Sequence, residues 1–314
     1  MYYFISPFYF RVPFRLSDYF ENKQRFTIEI GFGNGDFTVN LAKREPEYGY
    51  LGVEISSRSV LKLTRKLISH SITNVRTIKM DAYMLFSIIE PPFSVERVIY
   101  NFPDPWPDAP EKRVSFKNHL LLIHRILRKD GSFYLATDSD VLKEDIERNA
   151  GEVFYIEKSG KPYFDFRTKY EARWISERKH IVYYRMRPAP YEGEYPVLNF
   201  EGGSAVAHVI LGVKNKGKNI KLNLPVRLRP ESDMVIIIDR PYAREREYLY
   251  PVLVKEKGFV QKTFFKLYFI HDEARLVLDD TSYLVTTKGI RKAMSALRDM
   301  LLESGNFEVR RDTT

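Results

Sequence analysis

Five carboxylates stand where short apolar runs of this chain end. Glu29 lies within a run that leads into Gly31-Phe32-Gly33-Asn34-Gly35, and Glu54 comes nineteen residues after Gly35. Asp81 follows the run Val75 to Met80, Asp104 sits inside Asn101-Phe102-Pro103-Asp104-Pro105-Trp106-Pro107, and Asp138 follows Ser132 to Ala136 and Thr137. Glycines after a strand let the backbone turn tightly and approach a ligand with no Cβ in the way. An acid at the end of the next strand suits a pair of ribose hydroxyls, and Asp81 suits the exocyclic amine of an adenine. Dinucleotide enzymes space their glycines as Gly-x-Gly-x-x-Gly and face a pyrophosphate with a helix N-terminus. Here the spacing is Gly31-x-Gly33-x-Gly35, with Glu29 before it and Asp36 after it. Acids at that turn repel a pyrophosphate and suit a cation. S-adenosylmethionine carries a sulfonium and an ammonium and has no phosphate, so charge favours it over NAD. Asp36 also reads simply as a favourable first-turn helix residue.

The loop from Asn101 to Pro107 has the densest chemistry. Its three prolines fix φ and remove backbone donors, so they hold Asp104 and Trp106 stiffly. A planar aromatic beside a carboxylate suits a nucleobase, by stacking on its face and hydrogen bonding at its edge. The alternative is a connector whose tryptophan plugs the core. Lys112, Arg113 and Lys117 follow closely and suit phosphates, or else form a solvated helix start.

These residues need a frame that brings strand ends together. Strand-like runs at Phe26 to Ile30, Tyr48 to Ile55, Val75 to Met80, Val95 to Tyr100 and Ser132 to Ala136 alternate with helix-like ones. The helical runs are Phe37 to Lys43, Arg58 to Ser69, Val114 to Arg128 and Val141 to Asn149. In the second, Val60, Leu61, Leu63, Leu67 and Ile68 are apolar. In the third, Phe116, Leu120, Ile123 and Leu127 recur at spacings of three and four, and Lys129-Asp130-Gly131 reads as its stop. Val153 to Lys158 and His180 to Met186 read as closing strands. Such alternation predicts an α/β domain with a mostly parallel sheet and helices on both faces, and ligands in such sheets bind beyond the carboxyl ends of the strands.

Arg187-Pro188-Ala189-Pro190-Tyr191-Glu192-Gly193 breaks any regular element. Past it, Val206 to Val213, Met234 to Ile238, Tyr248 to Lys255, Thr263 to Ile270, Ala274 to Leu278 and Tyr283 to Thr286 are strand-like, and Lys288 to Glu303 reads as one helix. The expected organisation is an N-terminal arm over 1–25, a nucleotide-binding domain over 26–188 and a β-rich α+β domain over 189–314. The aromatic start, Met1 to Phe14, is interrupted by Arg11. It lacks the basic and apolar regions of a signal peptide, and is expected to lie on a domain as a short strand or arm.

Composition narrows the classes further. The 314 residues are 44% hydrophobic and contain no cysteine, which excludes disulfide scaffolds, thiolate metal sites and cysteine nucleophiles. With only six histidines and no cysteine, no metal is expected. No apolar run approaches the roughly 18 residues of a membrane helix, and the cytoplasm is the expected compartment. Lys and Arg outnumber Asp and Glu by 30 to 24 in residues 1–188 and by 20 to 17 in residues 189–314. This excess favours an acidic partner, most simply nucleic acid. In the second part, Lys214, Lys216, Lys218, Lys221, Arg227 and Arg229 form a basic run that suits RNA, or else a solvated hairpin.

Taken in order, Ile28-Glu29-Ile30-Gly31-Phe32-Gly33-Asn34-Gly35, Leu51-Gly52-Val53-Glu54, Asn101 to Pro107, Ala136-Thr137-Asp138 and Thr168-Lys169-Tyr170-Glu171 resemble the bacterial tRNA (guanine-N7-)-methyltransferase family. The resemblance covers about residues 26–187. It implies a class I S-adenosylmethionine-dependent, Rossmann-like methyltransferase domain. The implied product is 7-methylguanosine at position 46, in the tRNA variable loop. By resemblance, Glu29, Glu54, Asp81 and Asp104 contact the methyl donor, with Gly31, Gly33, Gly35 and Asn101 around it. Asp104 is the implied catalytic residue. Asp138 and the tetrad Thr168, Lys169, Tyr170 and Glu171 would contact the tRNA, alongside Lys112 and Arg113. Two features depart from the family. Its usual lysine after the tryptophan is Asp108 here, in a shorter and less basic stretch, and residues 189–314 have no counterpart in the shorter members. A monomer or homodimer is expected. The competing readings are methylation of an exocyclic or protein amide nitrogen, a non-enzymatic RNA-binding protein on the same scaffold, and an NAD-dependent oxidoreductase.

Overall fold

The computed structural model describes residues 3–7, 12–165, 177, 179–198, 208–214, 220–279 and 285–314. The chain divides into two compact units, Met1–Ser6 with Pro13–Val197 and Pro7–Val12 with Leu198–Thr314.

The first unit is built on one sheet of eight strands: β1 (Phe4–Ile5), β2 (Arg25–Ile30), β3 (Tyr48–Glu54), β4 (Val75–Lys79), β5 (Val95–Asn101), β6 (Leu127–Thr137), β7 (Phe154–Ser159) and β8 (Val182–Pro188). Their order is β1-β4-β3-β2-β5-β6-β8-β7. β1 to β6 pair in parallel and β8 runs antiparallel to both its neighbours. The order reverses between β2 and β5, which opens a crevice beyond their carboxyl ends. The aromatic start supplies an edge strand, with Phe4 opposite Thr77 and Ile5 opposite Ile78.

Among the described residues, five α-helices flank the sheet: α1 (Asp36–Arg44), α2 (Ser57–Ser69), α3 (Ala82–Ile88), α4 (Lys117–Ile126) and α5 (Asp140–Asn149). In α2, Val60, Leu63 and Leu67 are buried, whereas Leu61 and Ile68 face solvent. The apolar stripe is therefore narrower than the sequence suggests. α3 was not expected. All seven of its residues are buried, so it shows no amphipathic period to read. α4 starts at Lys117, not Val114, and passes directly into β6. The Lys129-Asp130-Gly131 stop lies inside that strand, where the β5–β6 register shifts between Val95 and Arg97. A Cβ on Gly131 would stand 2.8 Å from the Glu96 carbonyl oxygen. The punctuation is real, but it marks a bulge.

The Pro/Gly tract after β8 stays on the first unit. His124 Nε2–H donates to the Ala189 carbonyl at 2.8 Å, which leaves Nδ1 to accept the Tyr195 hydroxyl at 2.8 Å. Burial lowers the pKa of His124, which favours the neutral ring this bonding needs. The division accordingly falls after Val197, beyond the expected Pro188.

The second unit is an antiparallel sheet ordered β10-β11-β13-β14-β15-β9-β16, with β12 on β13. Its strands are β9 (His208–Val213), β10 (Val226–Glu231), β11 (Met234–Ile238), β12 (Tyr242–Arg244), β13 (Glu247–Glu256), β14 (Phe259–Ile270), β15 (Glu273–Leu278) and β16 (Phe307–Asp312). One helix, α6 (Lys288–Glu303), covers one face. Its Ile290, Ala293, Met294, Leu297 and Leu301 meet Tyr250, Val252, Val254 and Phe265 in the core. β10, β12 and β16 were not expected, since they are short, charged or mostly exposed. Tyr283 lies outside the described residues, and Val285 and Thr286 belong to no strand.

Leu297 is fully buried. Leu297→Ala should cost about 2–5 kcal/mol of stability, read as a lowered unfolding midpoint in urea.

Candidate functional site

Four of the five expected carboxylates stand at or just beyond the carboxyl ends of β2 to β5, and the fifth, Asp138, follows β6. Each has a different anchor. Glu29 is buried in β2 and accepts a hydrogen bond from the Thr38 hydroxyl of α1. Glu54, at the end of β3, accepts the amides of Ile55 at 2.8 Å and Ser56 at 3.0 Å on one oxygen, and that of Gly33 at 3.3 Å on the other. Asp81 caps α3, taking the Met84 amide at 2.8 Å on Oδ1. Asp104 is exposed on the proline loop. Three of them, Glu54, Asp81 and Asp104, act on one phenol. Burial raises the pKa of Tyr100, and the charges of Asp104, Glu54 and Asp81, in that order, raise it further. Glu29 joins the group through Glu54. Its carboxyl is pushed up to about 7, chiefly by burial. The Thr38 hydrogen bond opposes this and the Glu54 charge adds to it.

The glycine turn is left-handed at Gly31, Gly33 and Gly35. At Gly35, φ is +78° and a Cβ would come within 2.6 Å of Leu63, so the turn and the α1–α2 packing depend on the same absence of a side chain. At Gly33, φ is +56°, which lets its amide reach Glu54. Asp36 begins α1. It pairs with Lys66 and accepts the Asn34 amide nitrogen at 2.6 Å, which is the plain structural role open to it from sequence.

The proline loop is held from beneath. Phe102 and Trp106 have φ of 53° and 39°, a conformation costing roughly 1–3 kcal/mol each for such side chains. Arg113 spans the strained segment. Its Nε donates to the carbonyls of Pro105 at 2.9 Å and Trp106 at 3.1 Å, its Nη2 donates to Pro107 at 2.9 Å, and its Nη1 donates to Asp145 of α5 at 2.8 Å. Proline removes donors but leaves carbonyls that still need partners, and one guanidinium supplies three of them. His119 extends the brace: its Nδ1–H donates to the Arg113 carbonyl at 2.6 Å, and its ring stacks on Tyr83 at 3.5 Å.

The structure gives Arg113 a role within the protein beside the one expected from sequence. With every guanidinium nitrogen engaged within the protein, it is placed to position the loop. Lys112 differs. It is exposed, with its ammonium 4.7 Å from the centre of the Trp106 ring. Asp138 follows β6 and is ion-paired with Lys179 at 2.9 Å. Asn101 ends β5 with a buried, unpartnered Nδ2. Beside it a small cavity is lined by Phe37, Tyr134, Tyr163, Phe164 and Tyr183. Thr168, Lys169, Tyr170 and Glu171 lie outside the described residues. Sequence reasoning missed Tyr100, His119 and Asp145. The available signal was indirect: three prolines in one loop imply carbonyls that need a donor from elsewhere.

A doubly wound sheet with a left-handed glycine turn and acids at successive strand ends defines a Rossmann-like methyltransferase. A family profile described as putative methyltransferase matches residues 23–184. Three similar proteins carry the name tRNA (guanine-N(7)-)-methyltransferase. That of Thermotoga maritima is 28% identical over 306 residues, 94% of this chain and 95% of the relative. That of Thermus thermophilus is 28% identical over 319 residues, 97% of each. That of Alkaliphilus oremlandii is 34% identical over 172 residues, 52% of this chain and 81% of the relative. The first two similarities extend through both units, whereas the third spans about half the chain. The chain belongs to this methyltransferase family, among its tRNA (guanine-N(7)-)-methyltransferases. No helix among the described residues is long and apolar enough to cross a membrane.

Two outcomes are expected. Arg113→Ala should release the loop and lower kcat by roughly tenfold or more, with a far smaller loss for Lys112→Ala; steady-state kinetics of both variants decides. For Glu29, the folded carboxyl titrates at about 7 and the ordinary one at 4.5. The folded state therefore binds more protons between those values. This contribution to stability is full below about 4.5 and is lost as the pH rises to 7, by up to about 3 kcal/mol. Glu29→Gln should be more stable than the parent at pH 8 and show a flatter stability profile between pH 4.5 and 7, as followed by urea unfolding.

Proposed function

We propose that this chain transfers a methyl group from S-adenosylmethionine to N7 of a guanine in tRNA, at position 46 of the variable loop, as a cytoplasmic enzyme. The observation that carries the reading is the placement of Glu54, Asp81 and Asp104 at or just after the carboxyl ends of adjacent parallel strands, with Glu29 buried in β2. That charge suits a cationic nucleoside. The turn fits it too: Asp36 stands at the N-terminus of α1, where a pyrophosphate would meet a like charge.

The residues divide the work. Glu54, held by three amides, accepts a ribose hydroxyl on the lone pair left on Oε2. Asp81 Oδ2 accepts the adenine amine. Glu29, ionised, faces the ammonium, and Gly31, Gly33 and Gly35 keep the backbone close, with Asn101 at the neighbouring strand end. When bound, S-adenosylmethionine supplies a methyl group on a sulfonium sulfur. Guanine N7 has an in-plane lone pair and no proton, so attack needs no base. The protein's task is alignment, worth roughly 7–11 kcal/mol when the geometry is good. Asp104 stabilises the positive charge that passes to the purine. Trp106 offers a face for the base, and Lys112 a cation for a phosphate. Asp138 and Thr168 to Glu171 form the remaining tRNA contacts by family resemblance. No metal enters this reading, and the working unit is a monomer or homodimer.

Purified protein, labelled S-adenosylmethionine and unmodified tRNA should give label in 7-methylguanosine after digestion. Label in an N-methylated exocyclic amine, or none at all, would defeat the proposal. Asp104→Asn should fold normally and lose roughly 100-fold or more in kcat. Near-parental turnover would remove Asp104 from the mechanism, and an essential base titrating near pH 7 in the rate profile would overturn the base-free scheme.

A further inference from the structure

α2 of the first unit carries its cations on one outer line. Its buried line is Val60, Leu63 and Leu67. At about 100° per residue, the line opposite is Arg58, Lys62 and Arg65, which fall within an arc of roughly 60°. All three are exposed. They follow one another at roughly 6 and 4.5 Å along the axis, close enough for a single nucleotide strand to meet them in turn. Leu61 and Ile68, 50% and 60% exposed, lie to one side of this stripe. Lys66 lies to the other side, next to α1.

Two observations set the stripe apart from an ordinary solvated helix face. Arg58, Lys62 and Arg65 form no ion pair among the described residues. Other helices pair such cations: Lys143 and Arg148 of α5 with Asp140 and Asp145, and Lys288 and Lys292 of α6 with Glu231. The surrounding sequence is also one-sided, since Ile55 to Met80 contains six Lys and Arg and no Asp or Glu. Acids do stand at the borders of the face. Asp36 of α1 is paired with Lys66, and Glu54 accepts three backbone amides. Four cations against those two acids leave the face positive.

We propose that this stripe of α2 is a tRNA-binding surface, with Arg58, Lys62 and Arg65 on successive backbone phosphates. Charge complementarity selects a polyanion, and position selects the substrate. β3 ends at Glu54 and Ser56 caps α2, so the stripe begins beside the strand ends where the reacting guanine must arrive. A second copy of the chain would bring like charge against like charge. A helix lying on a membrane turns its apolar residues toward the lipid and its cations to the opposite, polar face. Here the cations hold the outermost line and Leu61 and Ile68 stand aside. The proposal rests on tRNA being the substrate, and it adds a contact that none of the methyl-transfer residues supplies.

The test uses the full chain and unmodified tRNA. Lys62→Gln with Arg65→Gln should raise Kd by roughly tenfold near 150 mM salt and flatten the plot of log Kd against log salt by roughly 0.7–0.9 per cation. Affinity for S-adenosylmethionine should match the parent, which reports that the first unit is intact. Lys62→Arg with Arg65→Lys keeps both charges and should keep the parental Kd and slope. Parental Kd and slope in the Gln double variant would overturn the proposal. So would unchanged tRNA binding with a loss of binding to vesicles rich in anionic lipid, which would assign the stripe to a membrane surface. If the parent itself transfers no methyl group to tRNA, the reading of the active site fails instead. That result is visible without any variant, and the tRNA affinities still decide the role of the stripe.

Discussion

Like charges gathered at one edge of a sheet are the constraint around which the first unit is arranged. A parallel sheet brings its carboxyl ends to one side, and here the chain places acids on four adjacent strand ends or the loops after them. Each then needs its own relief. Glu54 takes three backbone amides, Asp81 takes the Met84 amide in the first turn of α3, and Glu29 takes the Thr38 hydroxyl and a share of a proton. Asp104 is left to solvent. The residual repulsion is a standing cost in the ligand-free protein. A bound cation offsets it, so part of the selectivity for a positively charged cofactor is already present in the empty fold.

The proline loop poses the opposite problem. It is short of donors, not overloaded with charge. Three prolines fix the chain direction, and two left-handed residues turn it, but neither satisfies the carbonyls they leave behind. Arg113 does so with a single planar group, and Asp145 fixes that group from α5. The loop's shape therefore depends on a helix far along the chain. The neighbouring cations, Lys112 and Arg113, look alike in sequence and sit differently: one is exposed over Trp106, the other is half-buried and bonded to the scaffold.

What was legible in the sequence followed period and punctuation. The alternation of the first unit, the helix Lys288–Glu303, the glycine turn and the carboxylates at strand ends could all be read, because each leaves a local mark. α3 left none, since a helix buried on every side has no polar face. The bulge at Lys129-Asp130-Gly131 was read as a helix stop because the same residues serve both. The tract through Pro188 and Pro190 looked like a linker, yet His124 ties it down through one carbonyl and one hydroxyl that no spacing rule reveals. For Arg113 the bracing role left no mark in the sequence, since three of its four partners are main-chain atoms that every sequence possesses.

The brace on the proline loop has a practical consequence for watching this protein at work. Pro103, Pro105 and Pro107 have no amide protons, so hydrogen exchange sees little of the segment. Yet Trp106 is one of only two tryptophans in the chain, and it is part-exposed beneath the Lys112 ammonium. Its indole is a built-in optical reporter of the loop. Displacement of the ammonium, or arrival of a flat ring against it, would alter its emission without any label being added.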